Sequence, residues 1–179
     1  MKLTYLTSAS VIIEDQDVKI LCDPWLLDGE FYGSWAHYPP LNFSPEEFNN
    51  VDYIYISHIH PDHCSIKTLN KMNNKRKSIA KIYDKELNVS KKIPFTSTCV
   101  YHLYWICVRD RNFFRKKLLE KGIETGTHYK PIHQLSLYKK SVKLPLTEKI
   151  ANEIVTIPIP PNLTGSQIDY IVKTVNRFS

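Results

Sequence analysis

Tyr53-Ile54-Tyr55-Ile56-Ser57-His58-Ile59-His60-Pro61-Asp62-His63 is the most specific stretch of this 179-residue chain. An apolar strand-like run delivers the backbone into three imidazoles and one carboxylate, at the point where a strand gives way to a helix. In an extended segment His58 and His60 point the same way, so both can reach one ion. The turn at Pro61 then brings Asp62 and His63 round toward a second. Nitrogen and carboxylate donors suit a borderline ion such as zinc. Two ions about 3.5–4 Å apart can hold and activate a bridging water for hydrolysis. Scattered surface histidines are the plain alternative, but the density of HxHxDH argues against chance.

Working upstream, Leu3–Thr7, Val11–Glu14 and Val18–Asp23 read as short strands, with a turn at Asp15-Gln16-Asp17. Asp23-Pro24-Trp25 ends the third, because proline cannot continue a ladder. A Gly-, Pro- and aromatic-rich loop runs from Leu26 to Phe43. Ser44-Pro45-Glu46-Glu47 is a capped helix start, and Val51–Ser57 reads as a buried strand. Downstream, helical spacing sets in from Ser65 and is interrupted at Asn73-Asn74. Tyr101–Val108 follows as a strand. A helix carrying Phe113, Phe114, Leu118 and Leu119 is stopped by Gly122. Thr147–Glu153 reads as a helix and Val155–Ile159 as a strand. The final helix is capped by Thr164 and Gln167, and buries Ile168, Ile171, Val172, Val175 and Phe178.

Composition excludes several classes. No stretch approaches the ~20 apolar residues of a membrane helix, so no membrane partner is expected. The N-terminus has no signal-peptide pattern, and Cys22, Cys64, Cys99 and Cys107 show no CxxC spacing. A cytoplasmic protein with reduced thiols follows. The net charge of +6 comes partly from short groups, Lys75-Arg76-Lys77, Lys91-Lys92, Arg115-Lys116-Lys117 and Lys139-Lys140. These read as solvated faces and turns. No nucleic-acid motif accompanies them, so no nucleic-acid partner is expected.

Asp23-Pro24-Trp25, Gly33-Ser34-Trp35 and His58–His63 together resemble the metallo-β-lactamase fold superfamily, most closely its lactonase-type and cytidine-sugar-hydroxylase-like branches. The resemblance covers residues 1–72. It implies that His58 and His60 hold one metal and Asp62 and His63 the second, with Asp62 also catalytic and Asp23 supporting the ligands from behind. That superfamily completes its site with a later histidine, a bridging carboxylate and a final histidine. After His63 this chain offers only His102, His128 and His133.

The rest, residues 73–179, resembles the C-terminal domain of the DegT/DnrJ/EryC1/StrS aminotransferases, pyridoxal-phosphate (PLP) enzymes acting on nucleotide-linked sugars. The ordered blocks are Arg76–Asp84, Tyr101-His102-Leu103-Tyr104, Gly122–His133, Thr147-Glu148 and Ile157-Pro158-Ile159-Pro160-Pro161. The resemblance implies that His128, Tyr129 and His133 face a sugar or its diphosphate. The aldimine lysine, the acid and the phosphate cradle of such enzymes precede this segment, so PLP is not expected to bind and no cofactor-binding residue is assigned.

The expected architecture is mixed α/β: a partial metallo-β-lactamase-type sheet, then an α+β aminotransferase small domain. The expected function is that of a composite associated with surface-polysaccharide or amino-sugar biosynthesis. It joins a truncated metal-dependent hydrolase to the rear domain of a nucleotide-sugar transaminase, and is not a complete enzyme alone. A nucleotide-linked sugar or small molecule is the expected ligand, zinc or another divalent ion the expected metal, and a homodimer the expected assembly. The competing reading is a metal-dependent hydrolase whose site is completed unusually, by His128 or by a partner chain.

Overall fold

Three short apolar-rich segments joined by tight turns form an antiparallel meander, β1 (Lys2–Thr7), β2 (Ser10–Asp15) and β3 (Val18–Cys22). The β2–β3 hairpin closes over two residues, with Gln16 at φ 51°. A fourth strand, β4 (Tyr53–Tyr55), lies parallel to β3 at the sheet edge, pairing Ile20 with Tyr53 and Cys22 with Tyr55. The computed structural model describes residues 1–138 and 142–179. The Lys139-Lys140 group thus lies outside the described residues.

Two compact units divide the chain, Met1–Lys75 and Arg76–Ser179, and the architecture is mixed α/β. In the first unit the four strands are ordered β1-β2-β3-β4. Ile12, Leu21, Leu26 and Met72 form its core, with Phe43, Phe48 and Val51 packed against it. Burying each such side chain contributes on the order of 2 kcal/mol. Between β3 and β4, a one-turn element α1 (Glu30–Gly33) and a 3-10 turn (Pro45–Phe48) shape the loop. The expected capping box forms, with the Ser44 amide donating to Glu47 at 2.7 Å, but only one 3-10 turn follows.

Two expectations change here. The segment expected to be a buried strand over Val51–Ser57 is regular only over Tyr53–Tyr55, and all three of those residues are exposed. An edge strand left open on both faces loses the burial that its apolar composition suggested. The interruption expected at Asn73-Asn74 is also absent, since α2 runs unbroken from Ile66 to Glu86. Buried Met72 and Ile79 flank the pair, and packing outweighs a propensity deficit of about 0.7 kcal/mol per residue.

The second unit is built on an antiparallel sheet ordered β5-β6-β7, with β5 at Lys91–Lys92, β6 at Tyr104–Cys107 and β7 at Ile154–Ile157. Helices α3 (Arg111–Glu120), α4 (Pro145–Glu153) and α5 (Gly165–Phe178) complete it. Tyr83, Tyr104, Ile106, Phe114, Leu118, Val155 and Val175 are buried in one continuous core. β6 starts later than expected because Tyr101 sits at φ 54°, outside strand geometry. β7 stops before Pro158, which has no amide to donate; the Pro158 carbonyl instead accepts from the Tyr83 hydroxyl at 2.8 Å.

Both helix ends read from sequence are present. Gly122, at φ 73°, follows α3, and Thr164 accepts from the Gln167 amide at the start of α5. The C-terminal end of α2 is closed differently. Lys92 donates from β5 to the carbonyls of Asp84 and Leu87, and Asn176 donates from α5 to that of Glu86 at 2.9 Å.

Candidate functional site

The HxHxDH segment leaves the end of β4 as a turn, not as an extension of the strand. The His63 and Cys64 amides both donate to the His60 carbonyl, at 2.9 and 2.8 Å, which closes the loop onto itself. The three imidazoles gather: the ring centres of His58 and His63 are 3.9 Å apart, and those of His58 and His60 are 4.7 Å apart.

Asp23 organises the cluster. At the end of β3, with φ 45°, it is fixed by three backbone contacts. Its amide donates to the Tyr55 carbonyl at 2.8 Å, and its carbonyl accepts from the Ser10 hydroxyl at 2.7 Å and from the Trp25 amide at 2.9 Å. Its carboxylate accepts from the Ser57 amide at 2.6 Å and the Ser57 hydroxyl at 2.8 Å, and meets His63 Nδ1 at 3.0 Å. Burial alone would raise the Asp23 pKa. The Ser57 amide, His63 and the Ser57 hydroxyl overcome that and hold it below the ordinary carboxylate range.

These bonds also settle proton positions. With the Ser57 hydroxyl donating to Asp23, its oxygen is left to accept from His58 Nδ1 at 2.9 Å. His63 Nδ1 likewise donates to Asp23. In a neutral form of either ring Nε2 would then carry the lone pair, the tautomer a metal would need. His63 Nε2 lies 3.6 Å from the nearest Asp62 oxygen. Ser57 is not an activated nucleophile, because its proton is committed to a carboxylate and not to an imidazole.

The donor set stops there. Among the described residues no three His, Cys, Asp or Glu side chains are arranged to hold a metal ion. His58, His60, Asp62 and His63 thus share a loop without forming a coordination shell, and no group that includes His128 forms one either. The residues present do not fit a complete zinc centre.

The loop carrying the other candidate residues lies in the second unit. Its Gly126 amide and carbonyl pair with Thr156 at the edge of β7. His128 folds over that bridge, with Nδ1 2.8 Å from the Thr156 hydroxyl. His133 Nε2 meets Glu148 at 3.0 Å on α4, and Glu148 is held below its ordinary pKa by the Leu144 amide and then by His133. Only Tyr129 of the three is substantially exposed. It borders a pocket of about 270 Å³ with Arg111, Thr127, Lys130, Gln134 and Asn152. That lining has two cations and no acid.

A larger concavity, about 520 Å³, is bounded by Arg76, His102, Glu124, Thr125, Gly126 and the Thr156–Pro160 strand end. It contains a carboxylate but no lysine, whereas the smaller pocket contains Lys130 but no carboxylate. A PLP enzyme needs a lysine for the aldehyde and an acid for the ring nitrogen. Neither lining brings such a pair together, so these two concavities do not fit that cofactor.

Ser57, Ser10, Arg111 and Lys130 were not singled out in the sequence. Ser57 carried a usable signal, since it stands between the apolar strand and the first histidine. Arg111 and Lys130 carried none, because single cations are common in a basic chain.

Among the described residues no helix is long and apolar enough to cross a membrane. The model of the DegT/DnrJ/EryC1/StrS aminotransferase family matches residues 63–176, beginning ten residues upstream of the boundary read from the sequence. The chain is 30% identical over 112 residues to GDP-perosamine synthase of Escherichia coli O157:H7, covering 59% of this chain and 31% of that protein. It is 38% identical over 81 residues to the human inactive cytidine monophosphate-N-acetylneuraminic acid hydroxylase, covering 44% and 16%. The chain therefore spans less than a third of the length of either relative. Solved structures share the fold over part of the chain, among them two aminotransferases. One is the aminotransferase TlmJ of Streptoalloteichus hindustanus, with TM-score 0.57, 24% identity and 65% and 35% coverage. The other is a sugar aminotransferase of Streptococcus pneumoniae in its PLP form, with TM-score 0.54, 23% identity and 65% and 34% coverage. With its family's model matched over more than half its length, the chain belongs to the DegT/DnrJ/EryC1/StrS aminotransferases.

Proposed function

We propose that this chain is a sugar-nucleotide-binding module, built on the rear domain of a nucleotide-sugar aminotransferase, and not a complete transaminase. The observation that carries this reading is the acid-free pocket beside Tyr129. Arg111 and Lys130 offer two positive charges, while Thr127, Gln134 and Asn152 offer neutral hydrogen-bonding groups. A diphosphate suits that combination, and an exposed phenol beside it suits the stacking of a base or the face of a sugar. Amino-sugar biosynthesis in the cytoplasm is the corresponding setting.

Titration of the full chain with dTDP-glucose, GDP-mannose and UDP-N-acetylglucosamine by calorimetry tests it. At least one should bind. Lys130→Ala, which removes an exposed cation, should weaken that binding by about tenfold, the cost of one charge-assisted contact. No binding by any of the three would refute the reading. PLP added to the chain and reduced with borohydride should leave no stoichiometric label.

A second reading applies to the front segment. The likeness to the cytidine-sugar hydroxylases, taken with the Nε2-presenting tautomers of His58 and His63, supports descent of residues 1–72 from a metallo-β-lactamase-type sheet. On this reading His58, His60, Asp62 and His63 are the remaining ligands of a truncated hydrolase centre, and Asp62 has lost the partners it would need for catalysis. Elemental analysis after zinc loading should give less than about half an ion per chain. A stoichiometric ion would instead favour a completed metal-dependent hydrolase.

A further inference from the structure

The pocket beside Tyr129 has two walls. One is the loop that carries Tyr129, Lys130 and Gln134, and the other is the end of α4, with Ala151 and Asn152. Side-chain contacts fix both. Arg111 donates to the Ala151 carbonyl, which holds α4 against the start of α3. His133 Nε2 lies 3.0 Å from Glu148 Oε1, which holds the loop against α4. His133 and Glu148 are not among the residues that line the pocket, yet each stands beside some that are. His133 precedes Gln134 in the 3-10 turn Ile132–Gln134. Glu148 comes three and four positions before Ala151 and Asn152, so the three share one face of α4.

The contact is firmly anchored. An ionised carboxylate has only lone pairs to offer, so His133 Nε2 carries the shared proton. Glu148 Oε1 also accepts from the Leu144 amide at 3.0 Å, and the Glu148 amide donates back to the Leu144 carbonyl at 2.9 Å. The carboxylate is thus fixed to the start of its own helix before it meets the imidazole. The two side chains are 13 and 33% exposed, so water screens them only in part.

We propose that His133 and Glu148 are positioning residues, a clasp that holds Gln134 and Asn152 at the separation a bound sugar nucleotide requires. The inference rests on the reading of this pocket as a sugar-nucleotide site. The clasp touches no ligand and acts on affinity by keeping the two walls in register. It also ties binding to the imidazole proton. A protonated His133 adds an ion pair to the hydrogen bond, whereas a neutral one keeps the hydrogen bond alone. The other titratable or charged groups on these elements are His128, Tyr129 and Lys130 on the loop and Arg111 on α3. Lys143 stands just before α4 and also lowers the Glu148 pKa, while Lys149 and Glu153 on α4 pair with each other at 4.0 Å. The diphosphate of a nucleotide sugar is fully ionised near neutral pH and adds no titration of its own.

Calorimetric titration of the full chain with dTDP-glucose, GDP-mannose and UDP-N-acetylglucosamine, run between about pH 5.5 and 8.5, tests this. Affinity of the unmodified chain should fall about threefold as the pH rises across that window. His133→Gln, whose amide can donate in place of Nε2 without its charge, should bind with a flat profile. His133→Ala and Glu148→Ala should each lose about tenfold. Lys149→Ala, which removes an exposed cation from the same helix, should bind as the unmodified chain does. Amide exchange at Gln134 and Leu135, whose N–H groups close the 3-10 turn, reads the clasp without ligand. It should quicken in both alanine variants and stay near its original rate in His133→Gln. If an alanine variant fails to fold, the pH profiles of the unmodified chain and His133→Gln decide. An unmodified chain whose affinity ignores pH, a His133→Gln profile just as steep, or alanine variants with unchanged binding and exchange would each overturn the clasp and leave the pocket reading standing. No binding of any of the three by the unmodified chain would refute the pocket reading, and this inference with it.

Discussion

Asp23 takes both donors of Ser57, the backbone amide at 2.6 Å on one carboxylate oxygen and the hydroxyl at 2.8 Å on the other. One side chain thereby joins the ends of two neighbouring parallel strands and starts the loop that carries His58–His63. Asp23→Ala would leave the Ser57 amide, the Ser57 hydroxyl and His63 Nδ1 without their acceptor. It would also put a Cβ-only residue at φ 45°. A loss of about 3–4 kcal/mol is expected. Asp23→Asn tolerates that backbone angle and keeps one acceptor oxygen, and should cost roughly half as much. Urea unfolding of the three proteins at neutral pH measures the difference.

The same carboxylate sets a pH dependence. Its folded pKa lies below the ordinary value, so the unfolded chain takes up the proton first as pH falls. The stabilisation is fully present above about pH 4 and is lost as the pH falls through the lower, folded value. Unfolding free energies measured from pH 6 downward should decline over that range, and Asp23→Asn should flatten the decline. An unchanged slope in the asparagine variant would assign the acid sensitivity to other groups.

Gly126 is the most closely surrounded glycine of the chain. A Cβ there would come within 2.4 Å of the His128 ring and 2.6 Å of the Thr156 hydroxyl, and the main-chain bridge to Thr156 leaves little room to shift. Gly126→Ala should therefore cost about 2 kcal/mol and displace His128 from Thr156, visible as a changed imidazole resonance. Gly165→Ala, where nothing lies within 4 Å, is the matched control. It should be neutral or slightly stabilising at the first position of α5.

Thr164 and Gln167 form a reciprocal cap on α5, the threonine amide donating to Gln167 at 2.9 Å and the glutamine amide to Thr164 at 3.2 Å. Thr164→Ala should lower stability by about 1 kcal/mol, whereas Thr164→Ser should lose little. Thermal unfolding midpoints rank them.

What the residues announced and what they withheld divide along physical lines. Capping signals and helical periodicity are local, so the Thr164 cap, the Gly122 stop and the buried stripe of α5 were legible in the sequence. Burial is not local. Tyr53-Ile54-Tyr55 has the composition of an inner strand, yet it lies at an uncovered edge, a fact that depends on which other segments are near. Asn73-Asn74 failed as a break for the same reason, because buried residues on both sides outweighed their weak propensity. Among the site residues, the gathering of His58, His60 and His63 was legible as a motif. The proton positions imposed by Asp23 and Ser57 were not, since they depend on a pairing across 34 residues.

The end of α2 is held by two borrowed side chains, Lys92, only 5 residues beyond Leu87, and Asn176, 90 residues away from the carbonyl it serves. During synthesis the Lys92 contacts are available early, whereas the Glu86 carbonyl lacks its partner until Asn176 has emerged. Trimming the chain just before Asn176 would then be felt upstream at Glu86, with faster amide exchange in a segment whose own sequence had not been touched.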